Sequence, residues 1–286
     1  MNNGPLLFLG ILATLASSFW ALLLAPQLQI GSQQPVILEA TGEYYPRARP
    51  GLAQQGAEVY RAQGCVECHS QQVRQTGVEF EVWLAEAGTN QTELAATLRQ
   101  LQLAGGDAEH LIAQAPVRLR SGLSSTVAQG IAGQLTNGEA RAQVVLATLG
   151  PDIARGWGSR GTVTQDYLRD YPVLLGSQRI GPDLANYGAR QTNVLSILAH
   201  LYDAGKTMPR SMMPPYRYLF NRRPVTAGET PTFPFEKGLV VTPTAEAEAL
   251  VAYLMSLKSD GALPEAPMPA PPTKPIAATA LAAPAP

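Results

Sequence analysis

The sequence predicts a mainly α-helical protein with an N-terminal transmembrane helix and a small α/β domain inserted into its extramembrane part. Three observations carry this. Residues Pro5 to Ala25, "PLLFLGILATLASSFWALLLA", hold no charge, and the first ionisable side chain is Glu39. Two segments, "LAQQGAEVYRAQG" and "TPTAEAEALVAYLMSLKS", repeat apolar residues at helical spacing. Between them, residues 77–149 read as a run of short strands and helices, whereas 150–240 is rich in Gly and Pro. The organisation expected is a transmembrane anchor at 1–28, a tether at 29–50, one domain built from 51–76 and 150–260, an inserted domain at 77–149, and a Pro/Ala-rich disordered tail at 261–286.

The anchor comes first. A membrane span needs about 20 apolar residues at a rise of about 1.5 Å each, and the Pro5–Ala25 run meets that. Trp20 stands near its end, where an interfacial aromatic belongs. A cleaved signal peptide is the alternative, but it wants a basic start and a shorter apolar core, and neither is present. No Lys or Arg precedes the span, so orientation is left to Arg47 and Arg49, which vote weakly for keeping the following domain inside. The net charge of −1 and the lack of a Lys/Arg block argue against a nucleic-acid partner.

The remaining elements follow in order. Pro26, Pro35, Pro46 and Pro50 make 26–50 an extended strap. Leu52, Ala53, Ala57 and Tyr60 then mark a helix that ends at Gly64. In the insert, Phe80, Val82 and Leu84 alternate as a half-buried strand, and Leu94, Leu98 and Leu101 form a helical stripe. "DAEHLIAQA" is a second short helix and "VRL" a brief strand. "SSTVAQGIAGQL" repeats Val127, Ile131 and Leu135 with Ser124 as N-cap, and "AQVVLA" closes as a strand. The order is β-α-α-β-α-β. In the last helix Thr244 is the N-cap and Ala247, Leu250, Val251 and Leu254 the apolar stripe.

The chemistry lies in "GCVECHSQQVR", which holds both cysteines, Cys65 and Cys68, and one of three histidines, His69. Two cysteines cannot build a disulfide framework, and Cys-x-x-Cys-His is the attachment motif for c-type haem. Two thiols three residues apart lie on one side of a helical turn and reach two vinyl groups on one ring edge, and the next residue points at the iron. A thioredoxin-like dithiol would also show Cys-x-x-Cys, but in a βαβ setting, and a helix precedes it here. A structural zinc site needs four ligands, and His110 and His200 are distant in sequence.

An electron-transfer haem usually takes a second axial ligand, and Met/His ligation raises its potential. Met208, Met212 and Met213 share the loop "KTMPRSMMPPYRYL", stiffened by Pro209, Pro214 and Pro215. Methionines can simply fill core gaps, but a Met-Met-Pro-Pro loop is poorly suited to that. His200, the competing ligand, sits in "VLSILAHLYDAG" with Leu195, Leu198 and Ala199 on the expected core face. A ligating histidine normally donates its other ring N–H to a carbonyl or carboxylate. The turn Gly181–Pro182–Asp183–Leu184 in "RIGPDLANYG" is the candidate acceptor.

In order along the chain, the anchor, "GAEVYRAQGCVECHSQQVR", "DYPVLLGSQRIGPDLANYGAR", "AHLYDAG", "SMMPPYRYL" and "TPTAEAEALVAYLMSLK" resemble the membrane-anchored mono-haem cytochrome c subunit (subunit II) of cbb3-type, C-family haem-copper oxidases. The resemblance covers 1–76 and about 150–260. It implies a class I cytochrome c-like haem domain on the periplasmic face of a bacterial inner membrane, anchored by a single pass. It implies one covalent haem c held by Cys65 and Cys68, iron ligands His69 and Met213, and Gly181 and Pro182 against the haem. The family's Trp-Gly-Ser-Lys-Arg segment stands here as Leu175, Gly176, Ser177, Gln178 and Arg179, so a propionate contact rests on Arg179. The partners implied are a haem-copper catalytic membrane subunit, a donor cytochrome c and membrane lipid. Oxygen reduction belongs to the catalytic subunit. A cytochrome serving another complex, such as a nitric oxide reductase, or a free carrier, shares the anchor and haem motif.

The insert resembles a different protein. "EFEVWLAEAG", "AEHLIAQAPVRLRSGLS" and "AQGIAGQL" are similar to the C-terminal domain of the bacterial ribosomal stalk protein. The stalk's lysine- and glycine-rich factor-binding helix is replaced by "LAGGDAEHL", so the resemblance implies a docking or spacer domain rather than ribosomal function, with His110 a surface residue.

Overall fold

The structure, a computed structural model, describes residues 3–104, 107–136 and 140–269. Its contacts divide the chain into two compact units. One comprises residues up to Gln71 together with Thr162–Gly261. The other comprises Gln72–Gly161 and the chain from Ala262 on.

The first unit begins with a continuous helix, Gly4–Gln29, of 26 residues and mean hydropathy 2.1, none of it buried. At about 1.5 Å per residue it exceeds the roughly 30 Å of a bilayer's hydrocarbon. Among the described residues it is the one helix long and apolar enough to cross a membrane. Its turn at Trp20–Leu24 is π-helical. A proline ring clashes with the carbonyl four residues back in a regular helix, and the wider turn lets the helix run on through Pro26.

Residues 29–50 are more than a strap. Val36–Ile37 pairs antiparallel with Tyr44–Tyr45, and Leu38 and Tyr45 are buried. Gln165 Nε2 donates to the Gln34 carbonyl at 2.8 Å, Arg47 meets Asp260 at 2.8 Å, Arg49 pairs with Asp170, and the Tyr45 hydroxyl donates to Asp166. Prolines keep the segment extended, but these distant partners fasten it along its length.

The core of this unit is the crossing of Gly51–Ala62 with Ala245–Ser256. A Cβ on Gly56 would fall 1.9 Å from the Ala249 carbonyl oxygen, so only glycine lets the helices meet. The Tyr60 and Tyr253 rings lie 5.2 Å apart, and Gln71 Nε2 donates to the Tyr253 hydroxyl at 2.9 Å. Thr244 caps the second helix by accepting the Ala247 N–H, and Ala247, Leu250, Val251 and Leu254 are buried. The helix Val194–Tyr202 turns Ile197 and Leu201 inward. Leu195, expected on that face, is exposed, because two residues rotate it about 200° from Ile197. Tyr202 gathers Phe220 and Phe233, each 5.3 Å away centroid to centroid, under the hairpin of Phe220–Pro224 and Leu239–Pro243.

The second unit has the element order strand–helix–helix–strand–helix–strand: Gly77–Glu86, Gln91–Gln100, Ala108–Ala113, Val117–Leu123, Ser125–Thr136 and Arg141–Leu149. The first strand is central and antiparallel to both others, in register Val82 to Val144 and Leu84 to Ala142. Val82 and Leu84 pack with Leu94, Leu98, Ala108, Ile112, Ala128 and Leu135. Asn90, Asp107 and Ser124 each accept the N–H three residues on and cap the three helices. Of the stripe expected on the third helix, Leu135 is buried and Ile131 packs against the core, but Val127 is exposed and Ala128 and Ala132 are buried in its stead. A step of four residues overshoots a full turn by about 40°, so a strict four-residue repeat drifts off the core. The two ends of this unit are joined, with Thr76 N–H donating to the Leu149 carbonyl at 2.7 Å and Arg74 N–H to the buried Asp152 carboxylate at 2.7 Å. Of the tail expected to be disordered, Leu263 and Ala266 are buried and form a bridge, and residues 270–286 lie outside the described residues.

Gly56→Ala forces the two helices of the first unit apart. The expected cost is about 1–3 kcal/mol, read as a lowered denaturation midpoint by circular dichroism. An unchanged midpoint would contradict the crossing.

Candidate haem site

The Cys-x-x-Cys-His run starts where the Gly51–Ala62 helix stops. Gly64 takes φ +69°, a left-handed conformation that costs glycine little. It breaks the helix and starts the tight turn Cys65–Glu67. The turn closes through Cys68 N–H and His69 N–H, which both donate to the Cys65 carbonyl, at 3.2 and 2.9 Å. Both thiols are free. Cys65 is buried and its thiol is pushed up to about 11, by desolvation first, with a hydrogen bond to Tyr216 working the other way.

A second stretch is laced along the first. Ser177 N–H donates to the Val66 carbonyl, Gly181 N–H to Cys68, Leu184 N–H to Ser70, and Gln71 N–H to Leu175, at 2.8–3.2 Å. These bonds bring the Pro182 carbonyl to 2.8 Å from His69 Nδ1. A carbonyl can only accept, so Nδ1 carries the proton and the Nε2 lone pair is left for a metal. Burial pushes the His69 imidazole below its ordinary value, against the Pro182 bond and the negative charge of Asp183. Two glycines make the approach possible. A Cβ on Gly181 would fall 2.3 Å from His69 Cε1, and one on Gly176, at φ +87°, would fall 2.3 Å from the His69 carbonyl oxygen.

The methionines separate by burial. Met212 is 78% exposed and Met208 60% exposed, whereas Met213 packs against the core cluster that contains Cys65 and Tyr216. Its N–H donates to the Ser211 hydroxyl at 3.3 Å. His200 is half-buried. Its Nδ1 donates to Thr207 Oγ1 at 2.7 Å, because that hydroxyl donates onward to the Ala204 carbonyl. His110 is exposed and accepts from the Gln114 amide. Arg179 lies 3.6 Å from the buried Asp183 carboxylate.

Among the described residues no three His, Cys, Asp or Glu side chains group as a metal cage. The donor set suits a c-type haem instead: two thiols on one turn, an imidazole oriented by a carbonyl with Nε2 open, and a glycine cradle against the ring.

Residues 148–231 match the family model "Cytochrome C oxidase, mono-heme subunit/FixO". The matched stretch contains the Pro182 carbonyl, both glycines of the cradle and all three candidate methionines. No curated protein matches the chain. Sequence reasoning missed Asp183 as a side chain, Ser70 as its partner, Arg190, and Tyr216 against Cys65. Asp183 and Ser70 are neighbours of residues already singled out, and that adjacency was the available signal.

Gly181→Ala is expected to cut the haem carried per chain several-fold in the pyridine haemochrome assay, because the added methyl collides with the His69 ring. Wild-type loading would contradict the cradle.

Proposed function

We propose that this chain is a membrane-anchored electron-transfer subunit of a respiratory terminal oxidase. It relays electrons through one covalent c-type haem to a haem-copper catalytic subunit. One observation carries the reading: the stretch that matches the mono-haem oxidase subunit supplies the carbonyl that orients His69 of the Cys-x-x-Cys-His motif.

A haem held here supplies a one-electron ferric/ferrous couple. Cys65 and Cys68 would hold the ring covalently through two thioethers, from the Cys65–Glu67 turn and the residue after it. His69 presents Nε2 to the iron while Pro182 holds Nδ1. Met213 would hold the iron from the other loop, favoured over Met212 and Met208 by its partial burial against the core cluster. A thioether ligand would stabilise the reduced form and raise the potential. Gly181 and Pro182 would line the ring, and Arg179, which lies by Asp183 and has five N–H donors, would serve a haem carboxylate as well.

The Gly4–Gln29 helix spans the bacterial inner membrane once, with the haem domain on the periplasmic side, where a donor cytochrome c docks. Tethering beside the catalytic subunit raises the effective concentration of the pair. The Gln72–Gly161 unit, with its stalk-like element order, acts as a docking or spacer domain.

The chain, expressed with haem-attachment machinery, should give a two-thioether pyridine haemochrome spectrum and co-purify with a copper-containing membrane subunit. A copper-free partner would favour a nitric oxide reductase-like complex, and a colourless chain would overturn the reading. Met213→Ala should abolish the near-infrared sulfur–iron band and Met212→Ala should keep it. The reverse result moves the ligand by one residue.

A further inference from the structure

Asp183 is fully buried, yet holding the Pro182 carbonyl in place does not by itself call for a charge. Its Oδ2 accepts the Ser70 hydroxyl at 2.6 Å, its Oδ1 accepts the Ala185 N–H at 2.9 Å, and Arg179 lies 3.6 Å away. Ser70 follows His69 and Asp183 follows Pro182, so the carboxylate sits where the two stretches meet at the imidazole. A charge of the opposite sign stands seven residues on, at the exposed end of the helix Tyr187–Arg190. Arg190 donates from Nη2 to the Asp183 carbonyl, and its guanidinium lies 5.5 Å over the Tyr187 ring. A buried charge acts on its neighbours far more strongly than a solvated one, so Asp183, with none of its surface exposed, is the stronger of the two and the exposed Arg190 the weaker.

We propose that Asp183 and Arg190 are an opposed pair of fixed charges that set the reduction potential of the haem bound by His69. The inference rests on the haem reading above. Reduction takes one electron from the donor cytochrome and lowers the charge of the haem by one, and no bond or proton changes hands. The Asp183 carboxylate therefore favours the oxidised form, and the Arg190 guanidinium favours the reduced form.

The test is a spectroscopic redox titration of the full-length, haem-loaded protein in detergent, comparing wild type with Asp183→Asn and Arg190→Gln. Asparagine keeps the size and the acceptor of aspartate and removes the charge. At a fixed ambient potential, the reduced-to-oxidised ratio should rise about tenfold in Asp183→Asn, an upward shift of about 59 mV for a one-electron couple. It should fall several-fold in Arg190→Gln. A loosened site would move both variants in one direction, so a shift of common sign, or none beyond twofold, overturns the proposal. Should Asp183→Asn fail to load haem, Arg179→Gln and Arg190→Gln decide: each removes a positive charge and must lower the ratio, and a rise in either overturns the proposal. A wild-type chain without haem sinks the functional reading and this inference together. A loaded wild type with unmoved variants sinks the charge pair alone.

Discussion

One hydrogen bond, from His69 Nδ1 to the carbonyl of Pro182, gives the site its chemistry. It puts the ring proton on Nδ1, turns the imidazole, and leaves Nε2 as the free base. A neutral hydrogen bond contributes only about 1 kcal/mol net, too little to hold a loop by itself. The loop is held by its neighbours: the four main-chain bonds between 66–71 and 175–184, and the Ser70 hydroxyl on Asp183. Gly176 and Gly181 are the steric condition for this arrangement, because any side chain at either position would drive the two stretches apart.

The halves of the site are separated by about a hundred residues. That separation is tolerable because the intervening Gln72–Gly161 unit has its own core and ties its ends together through Thr76 and Leu149. Loop-closure entropy grows only logarithmically with length, about 0.6 kcal/mol per doubling. A folded insert with joined ends avoids most of even that. The haem-site unit can therefore bring Cys65–His69 against Gly181–Asp183 as though they were close in sequence.

Local chemistry was legible in the sequence, and long-range fastening was not. The helix break at Gly64, the Thr244 and Ser124 caps, the strand through Phe80, Val82 and Leu84, and the turn that faces His69 all follow from short-range rules. Face assignments failed where the pattern was ambiguous. Leu195 lies off the stripe that Ile197 and Leu201 define, and Val127 belongs to a four-residue repeat that drifts around its helix. The strap at 29–50 was legible as extended backbone, but its partners Asp166, Asp170 and Asp260 are far away in sequence. Met212 and Met213 are adjacent and chemically identical, and only burial separates them. Asp183 was hidden for a similar reason: a loop aspartate is ordinarily solvated, and the partner that meets its buried carboxylate from far away in sequence is Ser70.

The most direct test of this arrangement is nitrogen-resolved proton NMR of the His69 ring in the reduced, haem-loaded protein. The account predicts a proton on Nδ1 that exchanges slowly with solvent, and none on Nε2. A proton on Nε2, or an Nδ1 proton exchanging at the rate of a free imidazole, would contradict it.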